Sequence, residues 1–476
     1  MRLVSLLLLA FLYTSCASYN QQASAYYGNL RNGDFGKAAK ALDNNKLLGK
    51  QRNKLLYLLE RGKIAHLMQQ WDSSNAYFNE ADHIMERART SAKDLALGNL
   101  INPMMKPYQA EDFEKYLVHY YKALNYLQLG EPGEALVEAR RISIRTYAQE
   151  DRAGNKSRYS DDAFSYIMQG LIYEKDKDIN NAFIAYRNAA DVYINNNGNY
   201  YGIAMPAQLK KDLLRLASEN GFNDELSRYE RLLDLRFSDP EQPEGGELVV
   251  FWENGSAPVK SQQDIWFSLI KDAGGGFFFT DAAGLYNVPF DFSGGYNRDN
   301  IKMENLRSFR VALPKYETQP LSYTAASIQV NNDTYSFEPA ESINSLAFAT
   351  LKERMFKELS SSLTRLAIKK LAEAAIRPDE KKDEGKKTDE QKKKEQKERN
   401  QREAIALGLQ LFNFASEKAD TRNWQSLPHT IYYTRVPLQK GLNTISFQPN
   451  GASAAPVQFS VIGNGGLQYR NICTLR

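Results

Sequence analysis

The sequence predicts an α+β protein, in which a series of helix pairs precedes a β-rich region that carries a helical insertion. Two observations lead to this prediction. In the first half of the chain, apolar residues recur at spacings of three and four, which is the period of amphipathic helices. After residue 246 the chain carries short runs of β-branched and aromatic residues that are bounded by turn residues, as is typical of strands. Its 476 residues are enough for two or three domains.

The first 15 residues predict a lipoprotein signal peptide. A basic start precedes an apolar stretch from Leu3 to Tyr13, which is shorter than the roughly 20 residues that a membrane-spanning helix needs. Ser15 then ends a small-residue cleavage site directly before Cys16, whose thiol is the group that lipoprotein acylation requires. We therefore expect cleavage before Cys16 and lipidation there. Tyr13 stands where an aliphatic residue is usual, which leaves a plain secretory signal as the alternative.

These features also predict where the protein resides. Multiple acyl chains on one residue give stable membrane anchoring. The segment from Ala17 to Gln22 contains no acidic cluster of the kind that directs some lipoproteins to the cell surface. We expect attachment to a bacterial membrane, the outer membrane in our interpretation, with the body facing the periplasm. The net charge of +4 is small for this length and indicates no nucleic-acid partner. Cys473 then has no intramolecular disulfide partner.

Residues 16–237 predict an array of helix pairs. Small and aromatic residues recur at related offsets in three units, with a weaker unit near Gly33. The residues are Gly62, Ser74, Phe78 and Ala81 in the first unit, Ala123, Tyr126 and Ala135 in the second, and Gly170, Tyr173, Ala182, Tyr186 and Ala189 in the third. The pattern resembles the tetratricopeptide repeat (TPR), in which small residues let two antiparallel helices approach and aromatic rings fill the gaps beside them. The units are irregularly spaced, and an unrelated helical bundle is the alternative.

The β-rich region is predicted at 247–340 and 419–476, with a helical insertion at 341–418. Asn254-Gly255 predicts a turn after the first strand, and Asn332-Asp333 predicts a hairpin. Further strands are predicted at Phe277–Thr280, Phe309–Leu313, Ala326–Val330, Thr334–Phe337, Thr430–Val436, Asn443–Gln448 and Val457–Ile462.

Within the insertion, residues 377–402 hold eleven basic and eight acidic residues and nothing apolar. Such a stretch buries too little surface to fold, so we expect a solvated, disordered loop. The alternative is a basic segment for nucleic acid or anionic lipid, but the near balance of charge and the lack of aromatic residues favour the loop.

Three segments together resemble an uncharacterised family of bacterial envelope lipoproteins with an N-terminal TPR-like array and a C-terminal β-rich domain. They are YLVHYYKALNYLQLGEPGEALVEARRI at 116–142, GELVVFWENGSAPVK at 246–260 and ADTRNWQSLPHTIYYTRVPLQKGLNTI at 419–445. The last contains the family's Ala-Asp-x-Arg-x-Trp-x-x-Leu-Pro block. The resemblance implies an envelope protein without an assigned activity. Some members are encoded near lipoproteins that activate penicillin-binding proteins, which implies a link to peptidoglycan assembly.

Few residues suggest chemistry. The four histidines are not spaced as metal ligands, and no HExxH or GxSxG motif occurs, so we expect no metal, no cofactor and no catalytic residue. In the family block, Asp420, Arg422 and Trp424 have two interpretations. They could form a docking surface for a partner, since Trp and Arg are common in binding hot spots. Alternatively, Asp420 pairs with Arg422 while Trp424 fills the β-domain, which is the interpretation that we favour.

The sequence therefore predicts a non-enzymatic, membrane-anchored scaffold whose concave helical array binds a protein or peptide partner in the envelope. One alternative is a structural subunit of an envelope complex that binds through the β-domain. An envelope hydrolase is a further alternative, although no nucleophile, base and orienting residue can be assembled from the sequence.

Overall fold

The computed structural model describes residues 19–90, 103–141, 162–238, 242–271, 276–290, 309–376, 393–394, 396–402, 417–451 and 455–475. The predicted signal peptide, Cys16 and most of the 377–402 segment lie outside these residues. No helix among the described residues has both the length and the apolar character needed to cross a membrane.

The structure is α+β, and its first half is helical. Two 3₁₀ turns, Gln51–Asn53 and Pro103–Met105, lie between longer helices. The α-helices are α1 Tyr19–Gln22, α2 Ser24–Arg31, α3 Phe35–Asp43, α4 Lys54–Leu67, α5 Trp71–Thr90, α6 Asp112–Leu129, α7 132–141, α8 Ala163–Lys175, α9 Ile179–Asn195, α10 Ala207–Glu219 and α11 Asn223–Leu233. Consecutive helices pack as pairs, namely α2 with α3, α4 with α5, α8 with α9 and α10 with α11.

Two of these pairs share one packing arrangement. Gly62 on α4 lies so close to Phe78 on α5 that a Cβ atom would sit 2.7 Å from the ring. Gly170 on α8 lies in the same way against Tyr186 on α9, where the distance would be 2.5 Å. Glycine is therefore needed at both positions for the helices to approach this closely. The other predicted repeat residues that are buried are Ser74, Ala81, Ala123, Ala135, Ala182 and Ala189, while Tyr126 and Tyr173 are half-buried.

Acidic residues begin two of the repeat helices. The Asp162 carboxylate accepts a hydrogen bond from the backbone N–H of Ser165 at 2.9 Å. Asp178 does the same for Asn181 at 3.1 Å. Each aspartate satisfies a backbone donor that the first helical turn leaves without an intrahelical acceptor.

The second half contains three four-stranded sheets, and a two-stranded ribbon (β1 Asn199–Tyr200, β2 Ile203–Ala204) precedes them. Sheet A has the order β10-β11-β3-β14, sheet B β13-β12-β8-β9 and sheet C β6-β5-β4-β7. The strands are β3 Gly246–Asn254, β4 Val259–Lys271, β5 Phe277–Asp281, β6 Asn287–Phe290, β7 Phe309–Glu317, β8 Ala326–Val330, β9 Asp333–Ser336, β10 Glu338–Ser342, β11 Thr430–Pro437, β12 Gly441–Pro449, β13 Val457–Gly463 and β14 Gly466–Thr474. In sheet A, β3 runs antiparallel to β11 and parallel to β14.

The helix α12, Ile343–Ile376, follows β10 and covers one face of sheet C. Its Leu359 and Leu363 pack with Phe267 of β4 and Leu313 of β7. Residues 396–402 are also helical, with every side chain exposed. This part of the predicted irregular loop is therefore helical instead. Its Gln, Lys, Glu and Arg residues have high helix propensity, which the absence of apolar residues does not reveal.

One hydrophobic core joins the helices to sheet A. It contains Leu59 of α4 and Tyr121 of α6 together with Phe251 of β3 and Tyr433 of β11. The predicted domain boundaries stay a prediction, but the regions on either side of residue 246 bury their apolar surface against each other.

Candidate functional site

Helix α6 also forms a pair with α7, where Lys122 contacts Glu138. The first helices of four successive pairs, α4, α6, α8 and α10, all contact sheet A or the segment 419–429. The face that the first helices of a helical-repeat array form together is where a partner is expected to bind. Here the chain's own strands cover this face. The candidate site lies at this interface, where buried charged residues are concentrated.

A buried ion pair lies at its centre. Lys63 of α4 donates to Glu253 of β3, and both side chains are fully buried. Tyr121 accepts a hydrogen bond from Lys63 at 2.8 Å and donates to Glu253 at 3.1 Å. Asn471 of β14 donates to the other carboxylate oxygen at 2.8 Å. Burial alone would raise the pKa of Glu253, but the neighbouring Lys63 ammonium holds it below its usual value.

A second buried cluster surrounds Arg435 of β11. Its guanidinium donates to Glu174 of α8 at 2.8 Å and to Asp212 of α10 at 3.0 Å. Arg215 also donates to Glu174, at 2.6 Å. Burial opposes ionisation of Glu174, but the two guanidinium groups lower its pKa to about 2. Sheet A is thus joined to two successive helix pairs by one arginine.

The family block lies in the same interface. Arg422 is 1% exposed and pairs with Asp420, whose Oδ1 accepts from Nε at 2.8 Å. Its guanidinium also donates to Asn53 Oδ1 at 2.7 Å and to the carbonyls of Lys106 and Pro103 at 3.1 and 3.2 Å. Arg422 therefore fixes this segment to the array.

Trp424 is fully buried and packs against Phe78 and Tyr121, with ring centroids 5.8 and 5.9 Å away. Its backbone N–H donates to Glu114 at 2.9 Å. Trp424 thus fills the helical array rather than the β-domain. The chain's own helices cover Arg422 and Trp424 in this conformation, while Asp420 is partly exposed and pairs with Arg422. Docking by these residues stays a hypothesis.

A small cleft opens at the same interface between α6, α8, β10 and α12. Aromatic rings of Phe113, Tyr116 and Phe164 line it, together with the carboxyl groups of Asp162 and Glu341. Burial raises the pKa of Glu341 well above its usual range, and the neighbouring Asp162 carboxyl raises it further. Burial also raises the pKa of Asp162. The two groups lie close enough to form a hydrogen bond once one of them is protonated.

The buried histidines have polar partners. His66 Nδ1 lies 2.6 Å from Asn125 Oδ1, and its Nε2 lies 3.1 Å from Asn471 Nδ2, so the neutral ring donates at Nδ1 and accepts at Nε2. Burial lowers the pKa of His66 to about 4. His119 Nδ1 is hydrogen-bonded to Glu138 Oε2 at a distance of 2.6 Å. Across the described ranges, no group of three histidine, cysteine, aspartate or glutamate side chains could hold a metal ion. Cys473 is half-buried in β14.

Sequence reasoning missed Lys63, Glu253, Arg435 and Glu341. A signal was present, since Glu253 is the one charged residue of the run VVFWEN and Arg435 that of YYTRVP. A lone charge within an apolar strand needs a buried partner. The sequence does not indicate which residue that partner is.

No protein-family model matches the chain, and no curated protein sequence does. Among solved structures, the apo form of RapI is 12% identical to this chain, with a TM-score of 0.33. The matched region covers 49% of this chain and 59% of the RapI chain. MamA 41-end from Desulfovibrio magneticus RS-1 is 13% identical and covers 46% and 97%, with a TM-score of 0.28. A further MamA structure is 16% identical and covers 44% and 91%, with a TM-score of 0.26. The match thus spans less than two thirds of RapI. RapI and MamA are TPR-like helical repeat proteins.

Proposed function

We propose that this protein is a lipid-anchored, non-enzymatic scaffold for protein–protein interaction in the bacterial cell envelope, with a TPR-like solenoid array and a role in envelope or peptidoglycan assembly. One observation carries the proposal. The charged residues that could serve chemistry, among them Lys63, Glu253 and Arg435, are instead used to join the array to sheet A. These contacts join the helical array and sheet A into a single unit, as a scaffold requires.

The same contacts determine which surfaces serve the partner. The face formed by α4, α6, α8 and α10 is covered by sheet A and the segment 419–429, so the scaffold binds its partner through the second helices of the pairs, α5, α7, α9 and α11. This differs from the expectation of an open groove in the array. The β-rich region is the surface that the alternative, a structural subunit, would use. Exposed apolar side chains occur on both surfaces, with Val137 of α7 42% exposed and Leu285 of the β5–β6 connection 78% exposed.

The anchor is part of the proposal. The apolar stretch and Cys16 support cleavage, lipidation and attachment to the outer membrane, with the body in the periplasm.

A structural subunit that binds through the β-rich region is the alternative, and the surface of sheet C favours it. Trp266 and Ile270 lie on the face of β4 that points away from α12, and their side chains are 53% and 42% exposed. Exposed apolar surface of this kind marks interaction sites.

In-cell photo-crosslinking distinguishes the scaffold that binds through its array from the subunit that binds through the β-rich region. A photoreactive amino acid is placed at Val137 or at Leu285 in the full precursor, and crosslinked proteins are identified by mass spectrometry. A specific protein captured from Val137 supports the scaffold that uses its array. Capture from Leu285 alone supports the β-region subunit. Absence of any protein adduct from both positions would contradict a protein partner.

The matched control protein carries Cys16→Ala in addition to the photoreactive amino acid. If the partner lies at the membrane, crosslinking should be lost when the anchor is removed, while the amount of folded protein is unchanged. Crosslinking that persists in the released protein would show that the anchor is not needed for the interaction.

A further inference from the structure

The cleft between α6, α8, β10 and α12 holds a pair of buried acids without a cation. This is unusual within this protein, where buried acids are matched with bases. The matched pairs are Glu253 with Lys63, Glu111 with Lys260, Glu174 with Arg435, Glu138 with Lys122 and Glu417 with Arg365.

Two further buried acids accept several hydrogen bonds instead of pairing with a base. Glu60 accepts from the hydroxyls of Tyr26 and Tyr27 and from the backbone N–H of Gln425. Glu114 likewise accepts three hydrogen bonds, from the Tyr108 hydroxyl and from two backbone N–H groups. These hydrogen bonds offset part of the cost of burying a carboxylate, but burial still raises the pKa of both groups, that of Glu114 to about 7.

Asp162 and Glu341 differ from all of these. Asp162 Oδ2 accepts from Ser165, but within the described part of the chain neither Asp162 Oδ1 nor Glu341 Oε2 receives a hydrogen bond. No lysine or arginine of the described residues forms an ion pair with either acid. The two side chains are 9% and 4% exposed, so bulk water does not replace a partner.

A third polar group lies beside the pair. Tyr193 of α9 is fully buried, and its hydroxyl has no hydrogen-bond partner among the described residues. The charges of Glu341 and Asp162 act on this hydroxyl and add to the effect of burial in raising its pKa. Two carboxyl oxygens of residues that line the cleft thus lack donors, and the Tyr193 hydroxyl lies within the range of their charge.

We propose that this cleft binds a primary ammonium group on an alkyl chain, which supplies the cation that Asp162 and Glu341 lack. An ammonium has three N–H donors for these acceptors. The enclosed space holds about one water-sized group, which is the size of an ammonium head. The cleft is partly open, and the rings of Phe113, Tyr116 and Phe164 line it, so they would pack against an alkyl chain. Aromatic rings also attract cations.

The site goes beyond the scaffold function and does not depend on it. Two sources supply this chemistry, a free alkylamine and the lysine side chain of a peptide. In the free protein, a proton shared by the two acids neutralises the pair. An inorganic cation would also neutralise it, and binding of such a cation in place of the ammonium would overturn the proposal.

The experiment is a titration of the purified full-length mature protein by calorimetry and thermal melting. The probes are n-butylammonium, the neutral isostere n-butanol, and potassium at equal ionic strength. We expect saturable binding and a rise in melting temperature of about 2 °C or more with n-butylammonium alone. Because the ammonium displaces the shared proton, the binding heat should vary with the ionisation enthalpy of the buffer. An equal effect of potassium, or no saturable effect of n-butylammonium, would refute the proposal.

Variants locate the effect. Asp162→Asn removes the charge and keeps a good N-cap for α8. Glu341→Gln removes the other charge at nearly constant volume, and provides a second readout if one variant does not fold. Each should weaken n-butylammonium binding at least about tenfold, the loss of one charged hydrogen bond. Glu317→Gln, at an exposed glutamate of β7, is the matched control and should bind like the parent protein. Unchanged binding in both cleft variants would place the ligand elsewhere and overturn the assignment.

A final comparison identifies the source of the ammonium. Binding of the peptide Gly-Gly-Lys-Gly-Gly about tenfold tighter than n-butylammonium supports a lysine side chain as ligand. Equal or weaker binding of the peptide supports a free amine.

Discussion

Lys63 and Glu253 form an ion pair that is fully buried between the helical array and sheet A, 190 residues apart in the chain. Both side chains have no exposed surface, so water cannot solvate either charge if its partner is removed. An ion pair in this position contributes little to stability when complete but imposes a large cost when one partner is removed. It therefore defines how the array and the sheet fit together.

Removing either charge should destabilise the whole protein. We expect Lys63→Met or Glu253→Gln to lower the free energy of unfolding by about 3–5 kcal/mol, because the remaining charge is left buried. The double variant should lose less than the sum of the two, since it buries no unpaired charge. Denaturant unfolding measures these values. Lys37→Met is the control, because Lys37 and Asp34 form an exposed pair, and it should change stability by less than about 0.5 kcal/mol. Additive effects in the double variant would contradict the coupling.

Two glycines in helices should respond in opposite directions to alanine. Gly28→Ala in α2 meets no atom within 4 Å and should stabilise by about 0.5–1 kcal/mol through helix propensity. Gly170→Ala would place its Cβ 2.5 Å from the Tyr186 ring and should destabilise by about 1–3 kcal/mol. Thermal melts of both variants test this. A neutral Gly170→Ala would mean that α8 and α9 are packed less closely than described.

Ala182→Leu tests whether array and sheet unfold together. Ala182 is fully buried, so three added carbons should cost about 1–3 kcal/mol. Because one core spans both regions, we expect a single transition at lower temperature, with no protease-resistant fragment that begins near Glu247. Ala207→Leu, at an exposed position at the start of α10, is the matched control. A stable fragment of the β-rich region would show that it folds independently.

His66 should make the protein sensitive to mild acid. Burial, with a contribution from Lys63, lowers its folded-state pKa to about 4, against about 6.5 in the unfolded chain. Above pH 6.5 the ring is neutral in both states. As pH falls from 6.5 to 4, the unfolded state binds the proton more readily, and stability should fall by up to about 3 kcal/mol.

The difference between the parent protein and His66→Asn, measured by denaturant unfolding from pH 4 to 7, isolates this contribution. The parent should lose more stability than the variant over this range. His83→Asn, at an exposed histidine, is the control. Parallel pH profiles for the parent protein and His66→Asn would contradict a buried neutral ring.

Local patterns predicted the helix pairs and several strands well. The hairpin at Asn332-Asp333 is the connection between β8 and β9, with Asn331 in the left-handed region at φ 54°. The strand β4 was not predicted, because its first half, VKSQQD, is polar. The strand β14 was missed for a similar reason, since GLQYRNICT mixes polar and apolar residues without alternation and is half-buried throughout.

The candidate site was less predictable than the fold. Asp162 caps α8, which is a local role set by the residues that follow it. Its proximity to Glu341 depends on how α8 packs against β10, and a contact between residues so far apart leaves no periodic signal in the sequence. The sequence left two interpretations of Arg422 and Trp424 open for the same reason, since their residue types suit an exposed hot spot as well as a buried anchor.

The parallel pairing of β3 with β14 has a consequence for folding kinetics. Gly246 of β3 pairs with Gly466, and the side chains of Asn254 and Thr474 at the other end of the strands are hydrogen-bonded across 220 residues. Sheet A, and with it the cover over the first helices, closes only when these distant segments meet. Contacts of such long sequence separation slow folding and leave apolar surface exposed in the meantime. Newly made chains should therefore depend on a chaperone until β14 has paired.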